Sequence, residues 1–323
     1  NLMFTLTNKI KFFSLMLVIL GLMGILYGFY SAPSSIEEAK EMVADHHNNE
    51  EYNVQQDKTN EYYNKYGSTE DGGHMSHDEH VYHQLANRPW AALYVAAFFF
   101  FMISLGTLAF YAIQRAAQSG WSPVLFRVME GITAYLLPGG LALLLILLLS
   151  TLHLNHLFIW MDPEVVEYDK IIKAKSGYLE PYFFLVRGVI YLSGWYLYRY
   201  FSRKFSHLQD RSNDNKYHIK NFKLSAAFLV FFLVTESMMS WDWIMSIDPH
   251  WFSTLFGWYV FASMAVSGIT TIALISIYLK SKGYLPNVND NHFHDLGKFM
   301  FGFSVFWTYL WFSQFMLIWY SNI

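Results

Sequence analysis

Long apolar runs recur along this chain, and each is long enough to cross a bilayer. A membrane-spanning helix needs about 20 mostly apolar residues. Seven stretches meet that length: 12–30, 90–113, 133–160, 182–201, 224–245, 256–279 and 299–320. In lipid every backbone polar group must be satisfied internally, so such runs fold as helices or as closed barrels. Runs this long and this continuously apolar specify helices. The expected fold is all-α, a polytopic transmembrane helix bundle. Composition agrees, since charged residues are only 15% of the chain and hydrophobic residues 54%, against roughly 25% charged in an average soluble domain. The first run follows Lys9 and Lys11 but has no clear small-residue cleavage site after it, so it reads as a retained span.

Loop charges give an orientation. Positive charge collects on the cytoplasmic side of short loops. Residues 31–87 carry twelve acids and three lysines, whereas residues 198–223 carry seven basic and two acidic residues. The sign alternates at each crossing. The reading is an N-terminus in the cytoplasm, with residues 31–88 outside, in the periplasm if the cell has one. Three parts follow: a stub and first span over 1–30, an acidic, His-rich insert over 31–88, and six further spans over 89–323. The insert has few aliphatic residues to bury. It is expected as a partly disordered loop or as an arm that orders against a partner. A short helix is expected at 36–42 within it.

Punctuation supports the spans. Pro123 and Pro181 fall in first turns, where a missing N–H costs nothing. Pro138-Gly139-Gly140 lies inside the third run, where a kink is expected.

Ionisable residues inside a membrane are costly and usually face the bundle interior. The third run carries His153 and His156, read as one helical turn apart, with Asp162 at its outer end. The fourth carries Arg187, and the fifth carries Glu236 and Asp242. Asp248 and His250 follow in the next turn. By helical rise these groups share the outer half of the membrane. Arg187 could pair with Glu236 or with Asp242, a packing role. Glu236 and His153, placed deeper, suit a proton path or a polar head-group pocket. Glu130, three residues after Arg127, sits near the inner start of the third run. It is either an interfacial ion pair or the mouth of a proton half-channel.

Several chemistries are excluded or weakened. The chain has no cysteine, so it offers no thiolate metal site, no cysteine-held iron–sulfur cluster and no thioether haem. The histidines assigned to spans all lie on one run, which argues against a two-helix haem b site. Net charge is −3, so no basic field attracts nucleic acid. His74, His77, His80 and His83 recur every three residues, a spacing that could chelate zinc or copper on a helix. No phosphate-binding loop, dinucleotide fingerprint or serine elbow is present.

Two motifs are distinctive: WDWIMSIDPHWFSTLFGWY at 241–259 and WFSQFMLIWY at 311–320. Together they resemble the ActF subunits of bacterial alternative complex III, a membrane quinol oxidoreductase. ActF and its sister subunit are similar to NrfD and polysulfide-reductase membrane subunits. The resemblance implies two four-helix bundles plus flanking helices. It implies oxidation of quinol, often menaquinol. Electrons then pass to an iron–sulfur subunit, to haem c on other subunits, and on to cytochrome c or an associated cytochrome c oxidase. It places the main quinol site on the sister subunit, and gives this chain lipid and subunit contacts and proton half-channels. It implies no metal centre on this chain. The acidic insert has no counterpart in that resemblance. Relatives continue beyond the equivalent of Ile323, and Asn1 is not an initiator methionine, so a longer natural chain is expected. The alternatives are a purely architectural subunit of the same complex and a stand-alone ion or solute carrier. Carriers tend to have matched broken helices in two halves; here only the third run is interrupted.

Overall fold

The computed structural model describes residues 8–46 and 77–321. Among them the regular structure is helical throughout, with no strand. The α-helices are α1 (Asn8–Tyr30), α2 (Ile36–His46), α3 (His77–Ala116), α4 (Phe126–Ile132), α5 (Leu136–Thr151), α6 (Pro163–Tyr168), α7 (Lys170–Lys175), α8 (Pro181–Gln209), α9 (Lys216–Trp243), α10 (Phe256–Ser281) and α11 (Asp290–Ser321). Six helical stretches are long and apolar enough to cross a membrane, as expected of a multi-pass membrane protein. The seventh expected span lies in α8. Its 29 residues reach about 43 Å, but Arg187, Arg199 and Arg203 lower its apolarity.

Helices α3, α5, α8 and α9 close a ring, each packed on the next, so they form one four-helix bundle. Helix α10 packs on α3 and α9, and α11 packs on α10. Helix α1 touches α3 but buries none of its side chains. The closest approach is between α3 and α10. A Cβ added to Gly106 would stand 2.1 Å from the Met264 carbonyl oxygen, and one on Gly268 would stand 2.7 Å from the Thr107 nitrogen. Small residues let membrane helices meet backbone to backbone, and these two glycines do so.

Local chemistry accounts for the helix ends. Glu180 caps α8: its carboxylate accepts from the Tyr182 and Phe183 N–H groups at 3.2 and 2.6 Å, with Pro181 in the first turn. Ser35 caps α2, its hydroxyl accepting the Glu38 N–H at 3.2 Å. Ser34 donates to the exposed Glu38 carboxylate through its N–H and hydroxyl, both at 2.8 Å, and this holds the acid below its usual range. Helix α2 extends the expected 36–42 helix and packs on α3, with Ala39 fully buried. The described part of the insert therefore orders against the chain's own bundle. Its end is also helical, because α3 begins at His77, well before the expected start of the second span.

The third run departs from expectation in two ways. Its interruption is one turn of 3-10 helix at Thr133–Tyr135, just before Pro138. Pro138 then falls in the first turn of α5, where no intrahelical donor is lost. The run also ends early: α5 stops at Thr151, and His153 has a left-handed backbone, φ 56°. The expected helix through Trp160 is instead an irregular segment followed by a 3-10 turn at Ile159–Met161.

Candidate functional site

Polar side chains gather at two depths of the four-helix bundle. At one end, beside the 152–180 and 244–255 connections, stands an ion pair. Arg187 of α8 donates to Asp242 of α9 from Nε at 2.8 Å and from Nη2 at 3.0 Å. Both side chains are buried, at 4% and 0% exposure. The set is saturated. Tyr191 Oη donates to Asp242 at 2.9 Å, and Arg187 Nη1 donates to the Tyr178 carbonyl at 3.0 Å. The guanidinium also faces the Tyr178 and Phe183 rings, 4.0 and 4.6 Å from their centroids. Burial and then the Asp242 charge push the Tyr178 hydroxyl up, so it keeps its proton. Of the two partners expected for Arg187, the fold selects Asp242. This is a packing element: removing either member strands a buried charge.

Glu236 lies on the same helix, six residues earlier, and is equally buried at 2% exposure. It has no such set. Its Oε1 is buried without a hydrogen-bond partner, and nothing among the described residues pairs with its carboxyl group. Burying a charge without a partner is costly, so the protonation of this group depends on whatever approaches it.

At the opposite end a second network joins four helices. Glu130, expected at the inner start of the third run, accepts from Arg127 Nη1 at 2.6 Å and from Tyr111 Oη at 3.2 Å. Arg127 also pairs with Asp210. Tyr111 Oη accepts from Arg115 Nε at 3.1 Å and lies 3.3 Å from Ser202 Oγ, which bonds Asn221 Oδ1 at 2.6 Å. Arg115 reaches Ser206 and lies over the Phe126 ring, 4.1 Å from its centroid. Glu130 is therefore ion-paired, as one of its two expected readings held, yet it is buried and continuous with a larger network.

Between the two polar depths the α8–α9 seam is aromatic. Residues 226–234 of α9 are all apolar, a stretch that separates Ser225 from Thr235 by about 15 Å. Tyr198 stacks on Phe228 with centroids 3.8 Å apart, Phe228 meets Phe232 at 5.7 Å, and Trp195 bonds Thr235 at 3.0 Å.

The histidines depart from expectation. His153 and His156 do not share a helix face and are not interior; both are exposed in the segment after α5. A run of leucines that continues through Leu154 hides the helix end from any hydropathy window. Asn155 turns inward instead, accepting from the Ser150 hydroxyl at 2.8 Å. His156 meets His83 of α3, with ring centroids 4.3 Å apart. Burial and then His83 hold the His156 imidazole below its usual range, with Asp162 acting against them. Asp162 is partly buried in the same segment. His250 is exposed, bonding Asp169 at 2.6 Å and lying 3.9 Å from exposed Asp248. Asp162, Asp248 and His250 lie in the connections between long helices rather than at the interior site.

For the four-histidine run, His74 lies outside the described residues, as do the side chains of His77 and His80. His83 alone can be placed. Among the described residues no three histidine, aspartate or glutamate side chains gather as a metal site.

Sequence reasoning missed Asp169, Tyr111, Asn221 and Tyr191. Asp169 had a signal: it precedes Lys170 as an N-cap, accepting from Ile171 and Ile172 at 2.8 and 3.1 Å. Tyr111 and Tyr191 each stand one turn from a buried arginine, a spacing that could have pointed to them. Asn221 had no local signal. The two distinctive motifs meet: Ser253 of the first donates to Gln314 of the second at 2.8 Å. Comparison with models of known families and with curated proteins gave no significant match.

Proposed function

We propose that this chain is an integral membrane subunit of a quinol oxidoreductase of the alternative complex III type. It supports quinol or menaquinol oxidation by handling protons within its bundle, and Glu236 is the group that takes up and passes the proton. The observation that carries this reading is the buried Glu236 carboxyl, without a partner among the described residues and six residues from an Asp242 that is fully engaged. The meeting of the two motifs through Ser253 and Gln314 supports the resemblance on which the complex is inferred. Partners on this reading are an iron–sulfur subunit, c-type haem subunits, a sister bundle subunit, lipid and an associated terminal oxidase. The chain sits in a bacterial inner membrane, with its N-terminus in the cytoplasm and residues 31–88 in the periplasm. The Glu130 network forms the inner proton-accessible half and Glu236 belongs to the outer half.

The test is Glu236→Gln in the assembled complex, with quinol oxidation and proton release measured together. Proton release per electron is expected to fall while assembly is retained. Unchanged oxidation and unchanged release would remove Glu236 from the mechanism.

A second reading, an architectural subunit, is favoured by the saturated Arg187–Asp242 pair. It expects polar-to-apolar changes to lower assembly and to leave turnover of the surviving complex intact.

A further inference from the structure

His83 and His156 are far apart in the chain and adjacent in space. Their rings stand edge to face, with planes at 61° and centroids 4.3 Å apart. The proximity is built in. Asn87, one turn beyond His83 on α3, grips the His156 backbone from both sides. Its Nδ2 donates to the His156 carbonyl at 2.9 Å, and the His156 N–H donates to its Oδ1 at 2.9 Å. Helix α3 thus carries one imidazole and also fixes where the other one stands. Packing alone does not satisfy this pair, because Nδ1 of His83 is buried without a hydrogen-bond partner among the described residues. A buried ring nitrogen left so is unfavourable unless something bonds it.

We propose that His83 and His156 form a two-imidazole site for a divalent transition metal, copper, nickel or zinc, at the loop end of the bundle. Imidazole nitrogen suits these three ions. The ring torsion of histidine is soft, so rings at this separation can turn one nitrogen each to a shared ion while the Asn87 clamp holds the backbone. Water completes the coordination. Asp162 acts electrostatically on His156 and supplies favourable negative charge nearby. The site takes only His83 from the regular histidine run. It joins two segments of the fold instead of chelating within one helix, so a bound ion ties the segment after α5 onto α3.

The experiment uses the full chain in detergent, stripped of metal and titrated separately with Cu2+, Ni2+ and Zn2+. His83→Phe and His156→Phe keep an aromatic ring at each position and remove the ligating nitrogens. A third variant, H74N/H77N/H80N, removes the rest of the run. The wild type is expected to bind one ion per chain. Each Phe variant is expected to weaken binding at least tenfold, while the triple variant still binds. The Cu2+ electron paramagnetic resonance spectrum should show nitrogen hyperfine coupling from both imidazoles, reduced in either Phe variant. His156 lies outside any helix, so His156→Phe decides the matter even if His83→Phe fails to fold. Binding by His156→Phe equal to wild type, abolished binding in the triple variant, or no binding by the wild type would each overturn the proposal. None of these outcomes bears on Glu236.

Discussion

Asp242 and Glu236 are acids on one helix, both buried, with opposite circumstances. Six residues turn an α-helix through 600°, which leaves the two about 120° apart around α9. One faces Arg187 and Tyr191; the other faces nothing among the described residues that pairs with it. That angle was available from the sequence once the helix was accepted, and it already implied that one arginine could not serve both acids. Which acid it serves depends on the rotation of α8 against α9, a packing outcome. For a buried pair, removing one partner costs about 3–5 kcal/mol, whereas replacing both with apolar groups can be nearly neutral. Arg187→Met alone and Asp242→Leu alone are expected to lower the detergent melting temperature sharply. The double variant should recover most of the loss. A double variant as unstable as the sum of the singles would show that the pair does not act as a unit.

Elements were legible where their apolar pattern had clear ends. The 36–42 helix, the Pro181 start and the 256–279 span all have capping or proline signals, and the structure keeps them with modest extensions. The third run was misread because leucines at 152 and 154 continue the hydropathy past the last helical turn. The decisive features there are the left-handed His153 and the inward Asn155, which no apolar window registers. The connection after it is held by Asp169, which caps α7 and bonds His250. Burial works to raise this carboxyl, but the Ile172 N–H, His250 and the Ile171 N–H outweigh it and hold the acid below its usual range. A depressed carboxyl contributes stability above its unfolded value, near 3.9, and loses it as pH falls through the lower folded value. Asp169→Asn should therefore lower the melting temperature at about pH 5, where the carboxylate is ionised. The difference should shrink below about pH 4. A difference that failed to shrink between about pH 4 and pH 2 would contradict the assignment.

At the scale of the whole molecule, helicity and a multi-pass set of apolar helices were readable from hydropathy; of the seven spans expected, six among the described residues are long and apolar enough to cross a membrane. Ring closure among α3, α5, α8 and α9 was not readable, because it depends on which faces meet. The resemblance led us to expect two four-helix bundles; the described residues make one, with α10, α11 and α1 flanking it. Sidedness can be tested directly, since the chain has no cysteine to mask. Ser176→Cys and Asn213→Cys place single thiols at exposed positions in successive connections. A membrane-impermeant maleimide applied to the outer face of intact cells should label the first and spare the second. Labelling of both, or of the second alone, would reverse or break the orientation inferred from loop charge.

The aromatic seam between Ser225 and Thr235 has an electrical consequence. In a membrane, such an apolar layer of rings is a low-dielectric barrier between two polar networks, so a transmembrane voltage falls largely across it. Charge rearranged within either polar network moves through little of that field. A charge carried from one network to the other traverses nearly all of it, about 2.3 kcal/mol for each 100 mV. Any step that links the two halves would therefore slow or quicken with membrane energisation, while steps confined to one half would be indifferent to it.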